Sequence, residues 1–434
     1  MDIARRAHGT LVVLRTLPGQ RGVPFLPRER VLELRDARVR AIVAYAAENV
    51  PYYRALFRRE HLDAREFRSA DDLVQLPTID RATVQQDAER FRSTAREGRE
   101  AIALRTSGST GVPLTIYHDR ESLLANIAYA ERERAVEAQL VGRRFRYERL
   151  SVLARTSLVR AVREVYANTT FRPFRPRVHT IWLDEPLDRL ATALETIRPA
   201  VLTAYGSYLE LFFGTMAARG RQLALPRVVT YTSDMLSEQT CRFIETELGC
   251  AVTSAYNAVE AFKIGFFCEE RRGFHLHEDL CHVVLDGGEI VLSNLVNRGT
   301  VLLNYRIGDL AELSPEACPC GRTSPLLSTL QGRVNQVVRL PDGEILHPLL
   351  VAGVVKSFSG VARYQLVQHE PDRFELKVVP TDPRAFAGTG DELLFRVRKL
   401  VRGCSVELTL HDELEPGARG KFSTVLALAP TDRR

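Results

Sequence analysis

The chain has 434 residues, of which 45% are hydrophobic and 26% charged; this composition excludes a disordered chain and is typical of a globular protein with two or more domains. Sixty Lys and Arg against fifty-four Asp and Glu leave a net charge of +6, which is too small an excess to predict nucleic-acid binding, and no apolar run approaches the roughly 20 residues that a membrane span needs. Seven cysteines and an N-terminal apolar segment too short for a signal peptide favour reduced thiols or a metal over a disulfide framework, so we expect a cytoplasmic enzyme.

The first predicted element is helical. Apolar residues recur at helical spacing from Arg28 to Phe57, until the sequence Asn49-Val50-Pro51 interrupts the pattern. Two short strands, 101–104 and 114–117, are then predicted on either side of a loop rich in Gly, Ser and Thr. A long helix from about Glu121 to Leu140 follows.

The middle of the chain alternates predicted strands with predicted helices, which indicates an α/β layer with parallel pairing. The strands are 201–204, 228–232 and 251–255, and the helices are 207–219 and 237–248. Two further strands, 289–295 and 300–305, have no helix between them. The last part of the chain predicts a smaller α/β unit, with strands at 363–367, 374–379 and 405–410 and a helix at 391–400.

The loop Thr106-Ser107-Gly108-Ser109-Thr110-Gly111-Val112-Pro113 offers two glycines, four hydroxyls and a run of backbone N–H groups. Such a loop can wrap phosphate oxygens, because glycine permits close approach while hydroxyls and amides donate hydrogen bonds. It lacks the Gly-Lys-Ser/Thr of a Walker loop. Because a Ser/Thr/Gly loop between two strands is also an ordinary hairpin connection, both interpretations stay open on the loop alone.

Four later motifs follow this loop in the order found in the adenylate-forming superfamily of acyl-CoA synthetases and ligases. The loop itself resembles that superfamily's T-S-G-(S/T)-T-G-x-P phosphate loop. The other resemblances are Tyr256-Asn257-Ala258-Val259-Glu260 to Y-G-x-T-E, Tyr305-Arg306-Ile307-Gly308-Asp309 to Y-R-T-G-D, Gly332-Arg333-Val334-Asn335 to the G-R-x-D hinge, and Gly420-Lys421 to the C-terminal catalytic lysine.

Within the superfamily, the chain resembles the branch of phenylacetate-CoA ligases, coenzyme F390 synthetases and relatives associated with capsular polysaccharide loci. Three stretches carry this resemblance: the segment 48–54, Cys268 followed by Gly273-Phe274-His275, and Cys318-Pro319-Cys320-Gly321-Arg322. The resemblance extends from about Val39 to Lys421.

This resemblance implies an α/β fold with a large multi-layer N-terminal domain, residues 1–332, and a small mobile C-terminal domain, residues 333–434, with the active site between them. It also implies ATP and Mg²⁺ as cofactors. In the implied catalytic roles, Lys421 bridges the carboxylate and the phosphate, Glu260 holds Mg²⁺, and Thr106 takes part in catalysis. In the implied nucleotide contacts, Tyr256 stacks on adenine beside Asn257, Asp309 binds the ribose with support from Arg333, and the phosphates are bound by the loop residues Ser107, Gly108, Ser109, Thr110 and Gly111. The implied acyl pocket is lined by Tyr205, Gly206, Ser233 and Asp234.

Each of these residues also has a plain structural explanation when it is taken singly. Tyr256 could belong to the core, Glu260 to a helix start, Asp309 to a turn and Lys421 to a solvated loop. Their joint occurrence favours the functional interpretation. Attack of a carboxylate on the α-phosphate of ATP brings anions together, so the chemistry requires positioned donors, a metal and a lysine.

The implied reaction converts a small-molecule carboxylic acid and ATP to an acyl-adenylate and pyrophosphate, and then transfers the acyl group to a thiol, with coenzyme A as the expected acceptor. A carrier-protein thiol or an amine is the second choice for the acceptor. A non-catalytic nucleotide-binding scaffold is the rival from another class of protein. The joint presence of Glu260, Asp309, Arg333 and Lys421 argues against that rival.

A metal site is implied for Cys268, His275, Cys318 and Cys320. Thiolate and imidazole are the preferred ligands of tetrahedral zinc. The Cys-x-Cys spacing alone leaves buried free thiols equally open, and the resemblance favours a structural zinc. His277, Cys281 and His282 are nearby competitors for the same ion.

The chain departs from the superfamily motifs at three places. Val112 stands where a lysine is frequent, Val259 stands where a threonine can contact the α-phosphate, and Asn335-Gln336 replaces an acidic pair at the hinge. We expect adenylation to survive the first two changes with a lower rate. The hinge change bears on the second step, because rotation there is expected to separate the two half-reactions.

Overall fold

The computed structural model describes residues 3–105, 114–143, 147–153, 158–171, 177–182, 185–233, 235–333, 338–342, 345–346, 351, 354–355, 358, 360–382, 386, 388–414 and 424–427. These residues form two compact units: unit 1 extends to Gln331, and unit 2 begins at Gly332. Within the described ranges, no helix is long and apolar enough to cross a membrane.

Eleven α-helices are described in unit 1. They are α1 Ile3–Thr16, α2 Arg28–Asn49, α3 Pro51–Arg59, α4 Arg81–Gln86, α5 Arg96–Arg99, α6 Arg120–Tyr129, α7 Glu131–Val141, α8 Leu158–Thr169, α9 Leu187–Ile197, α10 Gly206–Ala218 and α11 Glu238–Arg242. Short 3₁₀ turns occupy Val23–Phe25, Ala64–Glu66, Ala70–Gln75 and Ala88–Phe91, and a π-helical turn, Phe243–Glu247, continues α11.

Thirteen strands belong to unit 1, the last of which runs into the unit boundary. They are β1 Ile102–Arg105, β2 Thr115–His118, β3 Glu148–Leu153, β4 Arg177–Trp182, β5 Val201–Tyr205, β6 Val228–Thr232, β7 Ala251–Tyr256, β8 Gly265–Phe267, β9 Phe274–Leu276, β10 Cys281–Asp286, β11 Glu289–Asn294, β12 Tyr305–Leu313 and β13 Leu326–Arg333.

A large sheet of eleven strands organises unit 1, in the order β10-β11-β12-β13-β9-β8-β7-β6-β5-β3-β4. The run from β4 to β7 is parallel, whereas β7 pairs antiparallel with β8. Helices α8, α9, α10 and α11 connect the parallel strands. The sequence predicted this alternation from β5 to β7 and missed β3, α8, β4 and α9. Buried aliphatic side chains such as Leu202 and Val229 fill the parallel part of the sheet.

The sequence-based element assignments need two corrections in unit 1. The predicted helix 121–140 is divided at Ala130 into α6 and α7. The predicted strand 300–305 is irregular up to Asn304, and β12 begins only at Tyr305. Asn304 has a φ of +52°, a left-handed conformation that no extended strand contains.

Unit 2 contains strands β14 Val338–Arg339, β15 Ile345–Leu346, β16 Val361–Glu370, β17 Arg373–Pro380, β18 Ser405–Leu410 and β19 Val425–Leu426, and helix α12 Gly390–Leu400. Four of the strands form a sheet in the order β18-β17-β16-β19. Buried residues of the sheet, such as Leu366 and Leu376, share a core with Val397 of α12. The predicted α/β fold class is confirmed: both units combine sheets with helices.

Candidate active site

Residues predicted to form the site lie at the carboxyl ends of adjacent parallel strands. Tyr205 ends β5, Ser233 follows β6, and Tyr256 ends β7. Because these strands are parallel neighbours, their carboxyl ends share one edge of the sheet. This edge is where open α/β sheets bind their ligands.

Gly206 permits a close backbone approach at this edge. A Cβ atom built on Gly206 would lie 2.5 Å from the backbone carbonyl carbon and oxygen of Met235. A side chain at this position would therefore push apart the start of α10 and the segment after Ser233. The structure thus brings together Tyr205, Gly206 and Ser233, three of the four residues predicted for the acyl pocket; the fourth, Asp234, lies outside the described residues.

Tyr256 and Asp309, which come from two different motifs, are in direct contact. The Tyr256 hydroxyl donates a hydrogen bond of 2.5 Å to Oδ2 of Asp309 in β12. The Tyr256 ring is only 8% exposed, and it makes an edge-to-face contact with Phe274 at 6.2 Å between ring centroids. The two motifs are therefore joined by a side-chain hydrogen bond, and the adenine and ribose contacts of Tyr256 and Asp309 stay predictions.

Glu260 is the third predicted residue in this region. Its side chain is 2% exposed, and its Oε1 lies 3.9 Å from Nη1 of Arg81 in α4. A carboxylate oxygen is a ligand that Mg²⁺ takes in proteins, so Glu260 has the chemistry predicted for it. Asn257, also predicted to contact the nucleotide, is exposed and donates from Nδ2 to the Ala255 carbonyl at 3.4 Å.

Two buried side chains hold the backbone next to Glu260. Asn294 donates from Nδ2 to the Glu260 carbonyl at 2.9 Å, and Nε2 of His118 lies 2.7 Å from the Val259 carbonyl oxygen. Burial lowers the pKa of His118 to about 4, so the ring is neutral at pH 7 and its proton is on Nε2, the atom that faces the carbonyl. Sequence reasoning missed both residues.

His118 connects the strand after the Gly/Ser/Thr loop with the Glu260 segment. It ends β2, the strand that follows the Gly/Ser/Thr loop, and β1 and β2 pair antiparallel with Arg105 opposite Thr115. The strand leaving the candidate phosphate loop is therefore hydrogen-bonded to the segment that carries Glu260. The loop residues Thr106, Ser107, Gly108, Ser109, Thr110 and Gly111, together with Lys421 and the side chain of Arg333, lie outside the described residues, and their roles stay predictions.

Cys268, His275, Cys318 and Cys320 form one cluster, in which the candidate ligand atoms all lie within 4.8 Å of one another. Sγ of Cys268 is 3.6 Å from Sγ of Cys318, and Sγ of Cys320 is 3.3 Å from Nε2 of His275. Tetrahedral zinc with bonds of about 2.0–2.3 Å separates its ligand atoms by roughly 3.5–3.8 Å. The two contacts come close to these separations, and the four residues together could hold a metal ion.

Neighbouring groups make hydrogen bonds to two of the four candidate ligands. Nδ1 of His275 lies 3.3 Å from the Ser324 hydroxyl, which leaves Nε2 directed at the thiols, and the backbone N–H of Arg322 donates to Sγ of Cys320 at 3.5 Å. Such second partners commonly orient metal ligands. Of the predicted competitors, His277 contacts Arg132 and Glu133 instead.

The chain has a known relative in sequence. No family model matches it. It is 27% identical over 392 residues to a phenylacetate-coenzyme A ligase of Thermus thermophilus, a match that covers 85% of each chain.

Solved structures also resemble the chain. A 2-hydroxyisobutyryl-CoA ligase in the postadenylation state, in complex with 2-HIB-AMP, superposes with a TM-score of 0.72 at 17% identity, over 94% of this chain and 91% of that one. The amide bond synthetase McbA from Marinactinospora thermotolerans gives a TM-score of 0.51 at 15% identity, over 74% of this chain and 67% of that one. The chain therefore has the fold of the adenylate-forming ligases, and the resemblance to that superfamily predicted from its motifs is confirmed.

Proposed function

We propose that the chain is an AMP-forming ligase that activates a carboxylic acid with ATP and then transfers the acyl group to a thiol, that of coenzyme A. The observation that carries this proposal is the contact between Tyr256 and Asp309, with the buried Glu260 four residues after Tyr256 in the chain. The similarity to a phenylacetate-coenzyme A ligase supports the choice of acid and thiol as substrates.

In the first half-reaction, a carboxylate oxygen of the acid attacks the α-phosphorus of ATP. An oxygen–phosphorus bond forms, the bond from the α-phosphorus to the bridging oxygen breaks, and pyrophosphate leaves with that electron pair. Tyr256 packs against the adenine, Asp309 accepts hydrogen bonds from the ribose hydroxyls, and the backbone and hydroxyl donors of residues 106–111 hold the phosphates. Lys421 neutralises the developing charge between carboxylate and phosphate.

Glu260 is the residue that would hold Mg²⁺, which supplies charge neutralisation at the phosphates when it is bound. The backbone at Glu260 is held in place by two hydrogen bonds. The hydrogen bonds that Asn294 and His118 make to the carbonyls of residues 260 and 259 hold the backbone that carries the carboxylate before the nucleotide arrives. Such preorganisation spares the cost of ordering at the moment of reaction.

In the second half-reaction, the sulfur of the acceptor attacks the carbonyl carbon of the acyl-adenylate. A carbon–sulfur bond forms, the carbon–oxygen bond to AMP breaks, AMP leaves, and the thiol proton passes to solvent. Coenzyme A is our proposed acceptor; an amine and a carrier-protein thiol are the alternatives that the experiment below distinguishes.

We also propose a structural zinc at the Cys268, His275, Cys318 and Cys320 cluster. Four protein ligands leave no open coordination position, so the ion would connect chain segments without taking part in the reaction. Cys268 follows β8, His275 lies in β9, and the two remaining cysteines belong to the segment before β13. The site would therefore hold the ends of neighbouring strands together.

The test of the ligase proposal is to trap the adenylate with hydroxylamine while screening aryl, hydroxy and fatty acids, and to measure pyrophosphate release. We expect a hydroxamate with at least one acid and a loss of about 100-fold or more in Lys421→Ala, because removal of a charged transition-state contact costs several kcal/mol. Lys399→Ala, at the exposed end of α12, is the matched control and should keep full activity.

Two results would contradict the ligase proposal: no hydroxamate with any acid in the panel, or a Lys421→Ala variant as active as Lys399→Ala. Once an acid is found, coenzyme A, a set of amines and a phosphopantetheinylated carrier protein are added separately. Faster AMP release with coenzyme A than with either alternative supports the proposed acceptor, and the opposite order rejects it.

A further inference from the structure

A small cavity adjoins the segment that follows Glu260, because Ala261, Phe262 and Lys263 line one side of it. The centre of a water molecule can occupy a volume of about 10 Å³ inside this cavity, which is room for one water molecule. The polar side chains that border it are His118, Ser122, Asn126, Lys263, Asn294 and Asn297.

Four of these polar side chains are already paired within the protein. The Ser122 hydroxyl donates to a backbone carbonyl at 3.1 Å, and the amide groups of Asn294 and Asn297 bond backbone atoms through both oxygen and nitrogen. The Lys263 ammonium contacts the two carboxylate oxygens of Glu133 at 2.6 and 2.8 Å. These groups therefore do not need a ligand in the cavity.

The other two side chains each present a buried atom that lacks a partner. Nδ1 of His118 and Oδ1 of Asn126 accept no hydrogen bond from any residue that the structure describes. Both atoms are acceptors: His118 is neutral with its proton on Nε2, facing the Val259 carbonyl, and Asn126 uses Nδ2 to donate to the Tyr166 hydroxyl at 3.0 Å. A buried acceptor without a donor destabilises the folded state, so the cavity requires a ligand that donates to both atoms.

A water molecule meets this requirement, because it has two hydrogens to donate and the size of the cavity. A divalent cation fits less well. It takes six or more ligands in proteins, whereas two acceptors are unpaired among the described residues that border the cavity. The number of acceptors and the volume together select water.

We propose that this cavity binds one water molecule, which donates to Nδ1 of His118 and to Oδ1 of Asn126, and that Asn126 acts through this water as a positioning residue for Glu260. Hydrogen bonds then connect α6, which carries Asn126, through the water and His118 to the Val259 carbonyl. Residue 260 follows directly. The positioning role rests on the proposed ligase function, whereas the binding of water does not.

The water also fixes the state of the His118 ring. The hydrogen bond made by one ring nitrogen determines which nitrogen carries the proton. A donor at Nδ1 keeps the proton on Nε2, where it is needed for the bond to the Val259 carbonyl. Without the water, the ring retains that bond and its contact with Phe262, at 4.3 Å between ring centroids, and loses the restraint on its other side.

The first test is a crystal structure of the unchanged protein at a resolution that shows ordered water. We expect a water oxygen within about 2.7–3.2 Å of both Nδ1 of His118 and Oδ1 of Asn126. Asn126→Leu has a side chain of similar size without an acceptor, and its structure should lack this water. A cavity without water in the unchanged protein, or a water that contacts neither or only one of the two atoms, would overturn the proposal.

The second test measures the Mg²⁺ concentration for half-maximal adenylation. Asn126→Leu should raise it about threefold to tenfold, the equivalent of one hydrogen bond. Asn168→Leu, at an exposed position of α8, is the matched control and should respond to Mg²⁺ as the unchanged protein does. Should Asn126→Leu fail to fold, Asn126→Ala removes the same acceptor with a residue of high helix propensity and should shift the Mg²⁺ response in the same direction.

Thermal unfolding of each variant separates positioning from stability. A lower melting temperature in Asn126→Leu with an unchanged Mg²⁺ response would refute the positioning role, and so would an equal shift of the Mg²⁺ response in Asn168→Leu. Failure of the ligase proposal is a different result, since no acid then forms a hydroxamate with the unchanged protein. The crystal structure still decides in that case whether the water is bound.

Discussion

At the scale of single residues, the hydrogen bond between Tyr256 and Asp309 connects the proposed adenine and ribose contacts. We expect Tyr256→Phe to keep the ring and lose the restraint on the carboxylate. The KM for ATP should rise about threefold to tenfold with a smaller change in kcat, because this range corresponds to about 0.7–1.4 kcal/mol, the net contribution of one typical hydrogen bond. Steady-state kinetics of adenylation measure both constants.

Tyr147→Phe is the control for this change. The Tyr147 hydroxyl also bonds a carboxylate, that of Glu137, at 2.8 Å, but it lies outside the proposed site. An equal rise in KM for ATP in both variants would show that the effect of Tyr256→Phe is general and would argue against a nucleotide contact.

His118 gives a second prediction at this scale. His118→Ala removes the donor to the Val259 carbonyl, and a buried carbonyl left unpaired costs about 1–3 kcal/mol. Because Glu260 follows directly, the Mg²⁺ concentration for half-maximal adenylation should rise several-fold. In His118→Gln the amide reaches a similar position, so this variant should regain part of the Mg²⁺ response.

The exposed His179, which pairs with Glu148 in the parallel sheet, supplies the control His179→Ala. If His118→Ala lowers only the melting temperature and leaves the Mg²⁺ dependence as it is in His179→Ala, then His118 stabilises the fold without positioning Glu260.

The site residues that were predicted from the sequence and those that were missed make different kinds of contact. Tyr256, Glu260 and Asp309 were identifiable because they stand in motifs of fixed spacing. His118 and Asn294 act through hydrogen bonds to a backbone distant in sequence, His118 bonding a residue 141 positions away. No local pattern encodes such a contact, since any residue with a suitable donor can make it once the fold has brought the segments together.

At the scale of secondary-structure elements, the Cys/His cluster is connected to Tyr256 by aromatic stacking. Phe267 at the end of β8 stacks on Phe274 at the start of β9, with centroids 4.1 Å apart, and Phe274 contacts Tyr256. Each phenylalanine directly precedes a predicted zinc ligand, Cys268 or His275. We therefore expect that disrupting the Cys/His cluster shifts the position of the Tyr256 ring.

We accordingly expect Cys318→Ser/Cys320→Ser to lose bound zinc, to melt at a lower temperature and to show a raised KM for ATP. Structural zinc sites contribute directly to folding free energy, so the thermal shift should be large. Elemental analysis of protein purified without chelator, together with calorimetry and ATP titration, measures the three effects. Cys404→Ser, in unit 2, is the control.

Should the double variant fail to fold, slow removal of the metal from the unchanged protein with a chelator gives the same comparison. Less than about half an equivalent of zinc in the purified protein would contradict the metal site. Zinc loss without any change in ATP binding would contradict the link to Tyr256 while leaving the site itself in place.

Hydrophobic periodicity predicted the regular elements well and their interruptions poorly. The parallel strands β5, β6 and β7 were predicted within a residue or two of their observed ends. The division between α6 and α7 was not, because it falls at Ala130, a residue with high helix propensity. Likewise, the irregular stretch before Tyr305 is apolar and buried, and hydrophobicity alone does not distinguish it from a strand.

At the scale of the whole molecule, unit 1 contains a buried histidine, His118, and a partly buried one, His282, that remain neutral. Burial lowers the pKa of His118 to about 4 and that of His282 to about 4, from an ordinary value of 6.5. In the unfolded chain both residues take up a proton as the pH falls below 6.5, whereas in the folded chain they do so only near pH 4. The unfolded state therefore binds more protons across this window, and acid favours unfolding.

We expect the free energy of unfolding of unit 1 to fall by roughly 1–3 kcal/mol per histidine between pH 6.5 and pH 4. Urea titrations at a series of pH values measure it. Trp182, the single tryptophan of the chain, lies in β4, so its fluorescence reports on unit 1. His282→Gln should flatten the pH dependence, because glutamine does not titrate.

The pH window separates this effect from that of buried acids. Burial raises the pKa of the Glu133 carboxyl, but the Lys263 ammonium and the hydrogen bond with His277 together lower it to about 2, from 4.5. The contribution of Glu133 to stability is therefore complete above about pH 4.5 and is lost only in stronger acid. The contrary result is a free energy of unfolding that stays constant from pH 6.5 to pH 4.5 and falls only below that range. This result would assign acid unfolding to buried carboxylates such as Glu133. It would also contradict the predicted contribution of His118 and His282.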